Sequence, residues 1–364
     1  MSTLLLIHGF LDDVNVWDDL VSALPEDVNT IRYQLPGFGT RTEDWTPEPT
    51  LATLAAEAGL LLDGVEGHAI VVGQSLGSQI AELVATARPE KVSGLVLITP
   101  VPLGGTRLPD DALIPFRSLA ADAAAQRAAR ADLSPTLTAE QLDRLTRAGV
   151  SAHRDVVSRY VDVWNDGVTD APPVSAFTGP VLIIRGGADP FVTAALAAAI
   201  TPRFPHAREQ IIDGGGHWVH VEYAGQVAAS ITEFVRETGS AAGWRRGFAE
   251  QSRDTFAATF AGDVVLDATT LPDPVEGRDQ VAATLAAASS IYESLEFTAE
   301  VHSGSSSYLQ WRATAFDNMS LRGVTILDRG PDGLITAIAI HHRPLGAVLR
   351  FASEIRDRLD GTQS

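Results

Sequence analysis

The sequence contains no cysteine, which excludes disulfides, thiolate–zinc sites, iron–sulfur clusters and a cysteine nucleophile. Positive charge is scarce: 27 Lys and Arg stand against 46 Asp and Glu, for a formal net charge of −19. So acidic a surface repels phosphate backbones, and nucleic acid is not an expected partner. Long apolar runs are missing too. No window carries the ~18 apolar residues of a membrane span. The start, Met1-Ser2-Thr3-Leu4, has neither a basic n-region nor a long apolar h-region. These absences predict a cytoplasmic protein with no membrane partner. What is present, 364 residues of which 45% are hydrophobic and 20% charged, suits about two globular domains.

Charge and composition place the boundary. Residues 1–238 carry 16 Lys and Arg against 30 Asp and Glu; the remainder carries 11 against 16. Between them Thr238-Gly239-Ser240-Ala241-Ala242-Gly243 has small residues and no apolar periodicity, which predicts a flexible linker at 239–243. Before it, short apolar runs at Leu4–Ile7, Thr30–Leu35, Ala69–Gly73, Leu95–Thr99, Val181–Arg185 and Glu209–Ile212 read as buried strands. Helical stretches such as Ser78–Ala87, Ala194–Ile200 and Val227–Glu237 lie between them. That alternation predicts an α/β domain, a mostly parallel sheet covered on both faces. About residues 101–177 the rhythm fails, and an Ala/Arg-rich helical pattern predicts a lid. After the linker, a helix over Trp244–Phe260, a strand at Val264–Ala268 and a helix from Arg278 to about Ile291 lead into four strand-like runs. These are Leu295–His302, Ser307–Ala315, Met319–Asp328 and Leu334–His342, and the helix Leu345–Leu359 follows. Helices with successive hairpins make an α+β domain, 244–364.

The sharpest local pattern is Gly73-Gln74-Ser75-Leu76-Gly77. It lies between an apolar strand and a helix, the setting of a nucleophile elbow. There a tight turn between glycines lifts a serine Oγ above the sheet edge. Two further strands end in polar loops: Asp189 in Gly187-Ala188-Asp189-Pro190, and His217 after Gly214-Gly215-Gly216. A parallel sheet gathers all three at one edge, with Ser75 as nucleophile, His217 as base and Asp189 holding the imidazole tautomer. After the first strand, His8-Gly9-Phe10 turns so that the Phe10 N–H joins that of Leu76 as an oxyanion hole. His8 reads as a hydrogen bonder that fixes the loop. Asp12 and Asp13 read as exposed acids at a helix start.

Together with Leu4-Leu5-Leu6-Ile7-His8-Gly9-Phe10, Leu35-Pro36-Gly37-Phe38-Gly39, Gly187–Val192 and Gly216-His217-Trp218-Val219-His220-Val221-Glu222, these motifs make residues 1–238 resemble the α/β-hydrolase superfamily. The likeness is to its capped esterase, C–C hydrolase and perhydrolase branch. Two departures stand out: the family's leading hairpin is missing ahead of Leu4, which implies an edge strand in need of cover, and Gln34 stands where the family often has Asp. Residues 244–360 resemble the SnoaL-like branch of the NTF2-like fold. The carriers are Phe260-Ala261-Gly262-Asp263-Val264-Val265-Leu266, Val275-Glu276-Gly277-Arg278-Asp279 and His341-His342-Arg343-Pro344-Leu345. That resemblance covers cyclases, isomerases and inert modules, so it assigns no chemistry.

A serine at the elbow argues against dehalogenase and epoxide hydrolase chemistry, which use a carboxylate there. No phosphate loop, metal-ligand cluster or cofactor fingerprint is present, so neither metal nor cofactor is expected. The expected substrate is an ester, thioester or lactone of a small to medium apolar molecule. Phe116, Tyr160 and Trp164 of the lid, with Trp218, are expected to line its pocket. C–C cleavage, perhydrolysis and a ligand receptor without turnover are the alternatives. The second domain is expected to serve homodimerisation or ligand shaping. Proton transfer among Asp267, Tyr292, His302, Trp311, His341 and His342 is the alternative there, as one of two enzymes on a biosynthetic route.

Overall fold

The computed structural model describes the chain apart from residues 1, 27, 45–48, 66–67, 206, 304, 331–332 and 362–364. It divides into two compact units, Met1–Val235 and Arg236–Ser364. In the first, β1 (Ser2–Ile7), α1 (Asp18–Ala23), β2 (Val28–Tyr33), α2 (Leu51–Leu60), β3 (Ala69–Gln74), α3 (Leu76–Ala87) and β4 (Val92–Ile98) come in order. Four helices follow, α4 (Asp110–Arg117), α5 (Ala123–Leu133), α6 (Ala139–Val150) and α7 (Arg154–Asp166), where the sequence predicts the lid. Then come β5 (Val181–Gly186), α8 (Ala194–Ile200), β6 (Ala207–Ile212), α9 (Val219–Glu222) and α10 (Ala224–Glu250), of which the residues to Val235 belong to this unit.

The sheet runs β2-β1-β3-β4-β5-β6, parallel at every pairing. Successive side chains of a strand point to opposite faces, and two separate cores show it. Leu5, Ile7, Val71, Leu95 and Ile183 enter one apolar cluster; Leu4, Leu6, Val72, Val96 and Leu182 enter the other. Two strands differ from expectation. Edge strand β6 is exposed through most of its length, and edge strand β2 is half-buried. Strand β1, expected to need cover as an edge, is itself internal, flanked by β2 and β3. Edges pack on one side only, so a buried apolar run is not required of them.

The second unit holds α11 (Arg253–Ala257), β7 (Phe260–Ala268), β8 (Val275–Glu276), α12 (Arg278–Ser289), β9 (Ser294–Ser303), β10 (Ser306–Ala315), β11 (Met319–Arg329), β12 (Ile335–Arg343) and α13 (Leu345–Gly361). Strands β9 to β12 form the predicted antiparallel meander. A parallel β12–β7 pairing, which the sequence does not reveal, makes the sheet mixed, in the order β8-β7-β12-β11-β10-β9. Leu285 of α12 and Phe351 and Ile355 of α13 join Leu266, Leu309 and Trp311 of the strands in one core. The stretch 239–243, expected as a flexible linker, lies within helix α10. Its alanines favour helix, and two glycines at about 1 kcal/mol each are too weak to stop it. The helix expected over Trp244–Phe260 is interrupted where Gln251 takes φ 50°, and Ser252 caps α11 by accepting from the Thr255 N–H.

Candidate active site

Ser75 links β3 to α3 at φ 51° and ψ −120°, a left-handed backbone that a non-glycine residue holds only where its surroundings enforce it. The surroundings are tight. A Cβ on Gly73 would run into the Gly77 carbonyl, and one on Gly77 into the carbonyl of Ile7. The Ser75 N–H donates to the Ile98 carbonyl at 3.0 Å, and its own carbonyl accepts from the Ser78 hydroxyl at 2.5 Å. Leu76 opens α3, and a first-turn N–H has no acceptor within its own helix.

His217 follows β6 and Asp189 follows β5. The His217 Nδ1 lies 2.8 Å from Asp189 Oδ2, with both side chains almost wholly buried. The other carboxylate oxygen accepts the N–H groups of Phe191 at 2.8 Å and Val192 at 3.0 Å. Burial opposes ionisation of Asp189. The charge and hydrogen bond of His217, with the two backbone donors, outweigh it and hold the carboxyl below its ordinary value. A charged Asp189 fixes the proton on Nδ1 and leaves His217 Nε2 as the basic nitrogen. The His217 backbone is anchored as well, its N–H on the Leu133 carbonyl at 2.9 Å and its carbonyl on the Thr99 hydroxyl at 3.0 Å.

Ser75 and His217 line one cavity of about 260 Å³ with Phe10, Phe116, Trp164 and Trp218. Of the residues expected at the pocket, Tyr160 is not among them. It is fully buried against Phe38, and its hydroxyl donates to the Pro36 carbonyl at 2.9 Å. The wall also includes Phe191, Leu119 and Arg130, which the sequence reading did not single out. Phe191 had a signal, since it sits two residues after Asp189 in a quoted motif. Asp12 is a second correction: it is fully buried, and its Oδ1 accepts from Arg130 Nη1 at 2.8 Å. Asp13 does cap a helical turn, accepting from the Asn15 N–H.

His8 holds its loop as expected. Its Nε2 accepts the Leu35 N–H at 3.1 Å and lies 2.9 Å from the Gln34 amide nitrogen, and its Nδ1 donates to the Gly9 carbonyl. Burial keeps its pKa below the ordinary value. Gln34, the departure from the family's Asp, thus braces the loop. His220 is buried, lies against Trp17, and burial pushes its pKa down to about 4.

In the second unit a cavity of about 20 Å³, room for about one water, is lined by Tyr292 and His342 among others. The Tyr292 hydroxyl and His342 Nε2 are 2.9 Å apart, and Trp311 donates to Thr325. Asp267 and His341 are exposed, so the alternative of an Asp–His proton-transfer pair does not assemble from these two. The side chain of His302 lies outside the described residues. Among the described residues no group of His, Asp and Glu is placed to hold a metal ion, and no helix is long and apolar enough to cross a membrane.

Known proteins resemble the chain over part of its length. It is 32% identical over 241 residues to lipase LipV of Mycobacterium tuberculosis, covering 62% of this chain and 90% of that protein. It is 29% identical over 252 residues to a pimeloyl-[acyl-carrier protein] methyl ester esterase of Aromatoleum aromaticum, covering 64% and 98%. Among solved structures, a thermophilic esterase from Thermogutta terrifontis aligns with a TM-score of 0.55 at 20% identity, over 65% of this chain and 90% of that one. The family model described as "Alpha/beta hydrolase family" matches residues 4–230, the stretch that carries the elbow and the loops of Asp189 and His217. On that match the chain is a member of the α/β-hydrolase family.

Proposed function

We propose that residues 1–238 are a cofactor-free serine hydrolase for esters, thioesters or lactones of small to medium apolar molecules. One observation carries this reading. The strained Ser75 shares an apolar cavity with His217, whose far nitrogen is held by a charged Asp189. Ser75 Oγ attacks the carbonyl carbon while His217 Nε2 takes its proton. The resulting oxyanion accepts the N–H groups of Phe10 and Leu76, each worth about 3–4 kcal/mol by analogy with a measured donor. Collapse expels the alcohol or thiol, which leaves with the proton from Nε2. Water then repeats the sequence on the acyl-serine and releases the acid. The names of the relatives, lipase and methyl ester esterase, agree with ester hydrolysis. Phe116, Trp164, Phe191 and Trp218 set an apolar acyl or alcohol site.

The part of the second unit over 244–364 is read as an NTF2-like module. Its helices pack with a mixed sheet that ends in a meander, and homodimer assembly or ligand shaping is the role read for it, a cavity of about 20 Å³ being too small to hold a substrate.

Hydrolysis of p-nitrophenyl esters of graded acyl length tests the assignment. Ser75→Ala is expected to lower kcat/KM at least ~10³-fold, with longest acceptable chains set by the cavity. Undiminished turnover by Ser75→Ala overturns it. Tight binding without multiple turnover by the native chain means a receptor instead.

A further inference from the structure

Helix α5 touches both loops on which this chemistry depends. On one side, Arg130 Nη2 donates to the Leu11 carbonyl at 2.6 Å and Nη1 to Asp12 Oδ1 at 2.8 Å. The guanidinium also lies over the Trp218 ring, 4.7 Å from its centroid, and the Trp218 indole N–H donates to the second Asp12 oxygen at 2.9 Å. On the other side, the last residue of α5 accepts the His217 N–H through the Leu133 carbonyl, and the next, Ser134, accepts the Trp218 N–H on its hydroxyl at 2.8 Å. Glu222 completes the join by accepting from both Ser134 and the Gly216 N–H.

The arrangement is costly for mere packing. The Arg130 and Asp12 side chains are 3% and 1% exposed, and a buried ion pair typically contributes little beyond what an apolar pair would. Leu11, directly after Phe10, is held at φ 62°, a strained backbone for leucine. Strain of this kind persists where neighbours over-determine it, and the planar fork of Arg130 does so by bridging the Leu11 carbonyl and the Asp12 carboxylate.

We propose that Arg130 is a positioning residue: it sets the Phe10 N–H of the oxyanion hole through Leu11 and, through Asp12 and Trp218, ties that loop to the histidine loop. The oxyanion donor is then in place only while α5 is seated. This inference rests on the reading of Ser75, His217 and the Phe10 N–H given above.

Arg130→Lys keeps the charge, so Asp12 stays paired, but an ammonium cannot span both acceptors and stack on Trp218. The expected result is a kcat lower by about 10–100-fold with KM changed less than about 3-fold, short of the ~10²–10³-fold cost of losing an oxyanion donor outright, because the Phe10 N–H is displaced and not removed. The inhibition constant of an aryl trifluoromethyl ketone, whose serine adduct bears an oxyanion, rises by the same factor as kcat/KM falls. A purely structural role would not link those two numbers. Should Arg130→Lys fold poorly, the neutral pair Asp12→Asn with Arg130→Met is measured in its place and is expected to show the same linked loss. The inference is overturned if kcat and the ketone constant stay within about 2-fold of native, or if activity falls only in step with thermal inactivation. Ser75→Ala is assayed alongside. If it retains activity, the function and this inference fall together; if it is inactive while Arg130→Lys is native-like, this inference alone falls.

Discussion

At the scale of single residues, the proposed chemistry divides the site between side chains that would meet substrate and side chains that hold those in place. Asp189 belongs to the second kind. Its charged carboxylate holds His217 Nδ1, so Asp189→Asn inverts the preferred tautomer and is expected to cut kcat about 10⁴-fold with the fold intact. Rates on p-nitrophenyl acetate, with circular dichroism as the control for folding, check this. Tyr160 is the opposite case. Its hydroxyl is used by Pro36 and faces no substrate, so Tyr160→Phe is expected to leave kcat/KM unchanged and to lower stability by about 1 kcal/mol in urea denaturation. A clear change in chain-length preference would return Tyr160 to the pocket.

At the scale of elements, the central strands were legible because burial on both faces leaves no polar option. Leu4, Leu5, Leu6 and Ile7 are all fully buried, and the sequence reads there as an unbroken apolar run. Edge strands are less constrained, and β6 was misjudged for that reason. The elbow, with the loops of Asp189 and His217, was readable because each sits at the end of a strand, and a parallel sheet collects such ends at one edge. Asp12 and Arg130 were not readable. Their pairing spans 118 positions, and an acid near a helix start looks the same whether solvent or a buried guanidinium faces it. The helix through 239–243 is not legible because its small residues carry no apolar periodicity, although its alanines favour helix and its two glycines are too weak to stop it.

At the scale of the whole molecule, buried neutral histidines set an acid limit to stability. His220 and His342 are both held down to about 4 by burial, against an ordinary value of 6.5. Between those values the unfolded chain binds protons that the folded chain does not, so stability falls as pH drops. Each histidine contributes up to about 1.4 kcal/mol per pH unit across that window. Asp189 acts in the same direction, because a depressed carboxyl loses its contribution as pH falls through its folded value. Urea midpoints from pH 7 to pH 4 are expected to decline, and His220→Phe, whose neighbour is the Trp17 ring, is expected to flatten the decline. An unchanged slope in that variant contradicts a buried neutral His220.

The central claim is that Ser75 is the nucleophile of a single acyl-transfer site. Its most direct measurement is covalent: the native chain is treated with a fluorophosphonate, and the adduct is located by peptide mass spectrometry. One equivalent is expected to bind, on the peptide containing Ser75, with loss of esterase activity in proportion to labelling. Labelling at another residue, or full activity after Ser75 is modified, contradicts it.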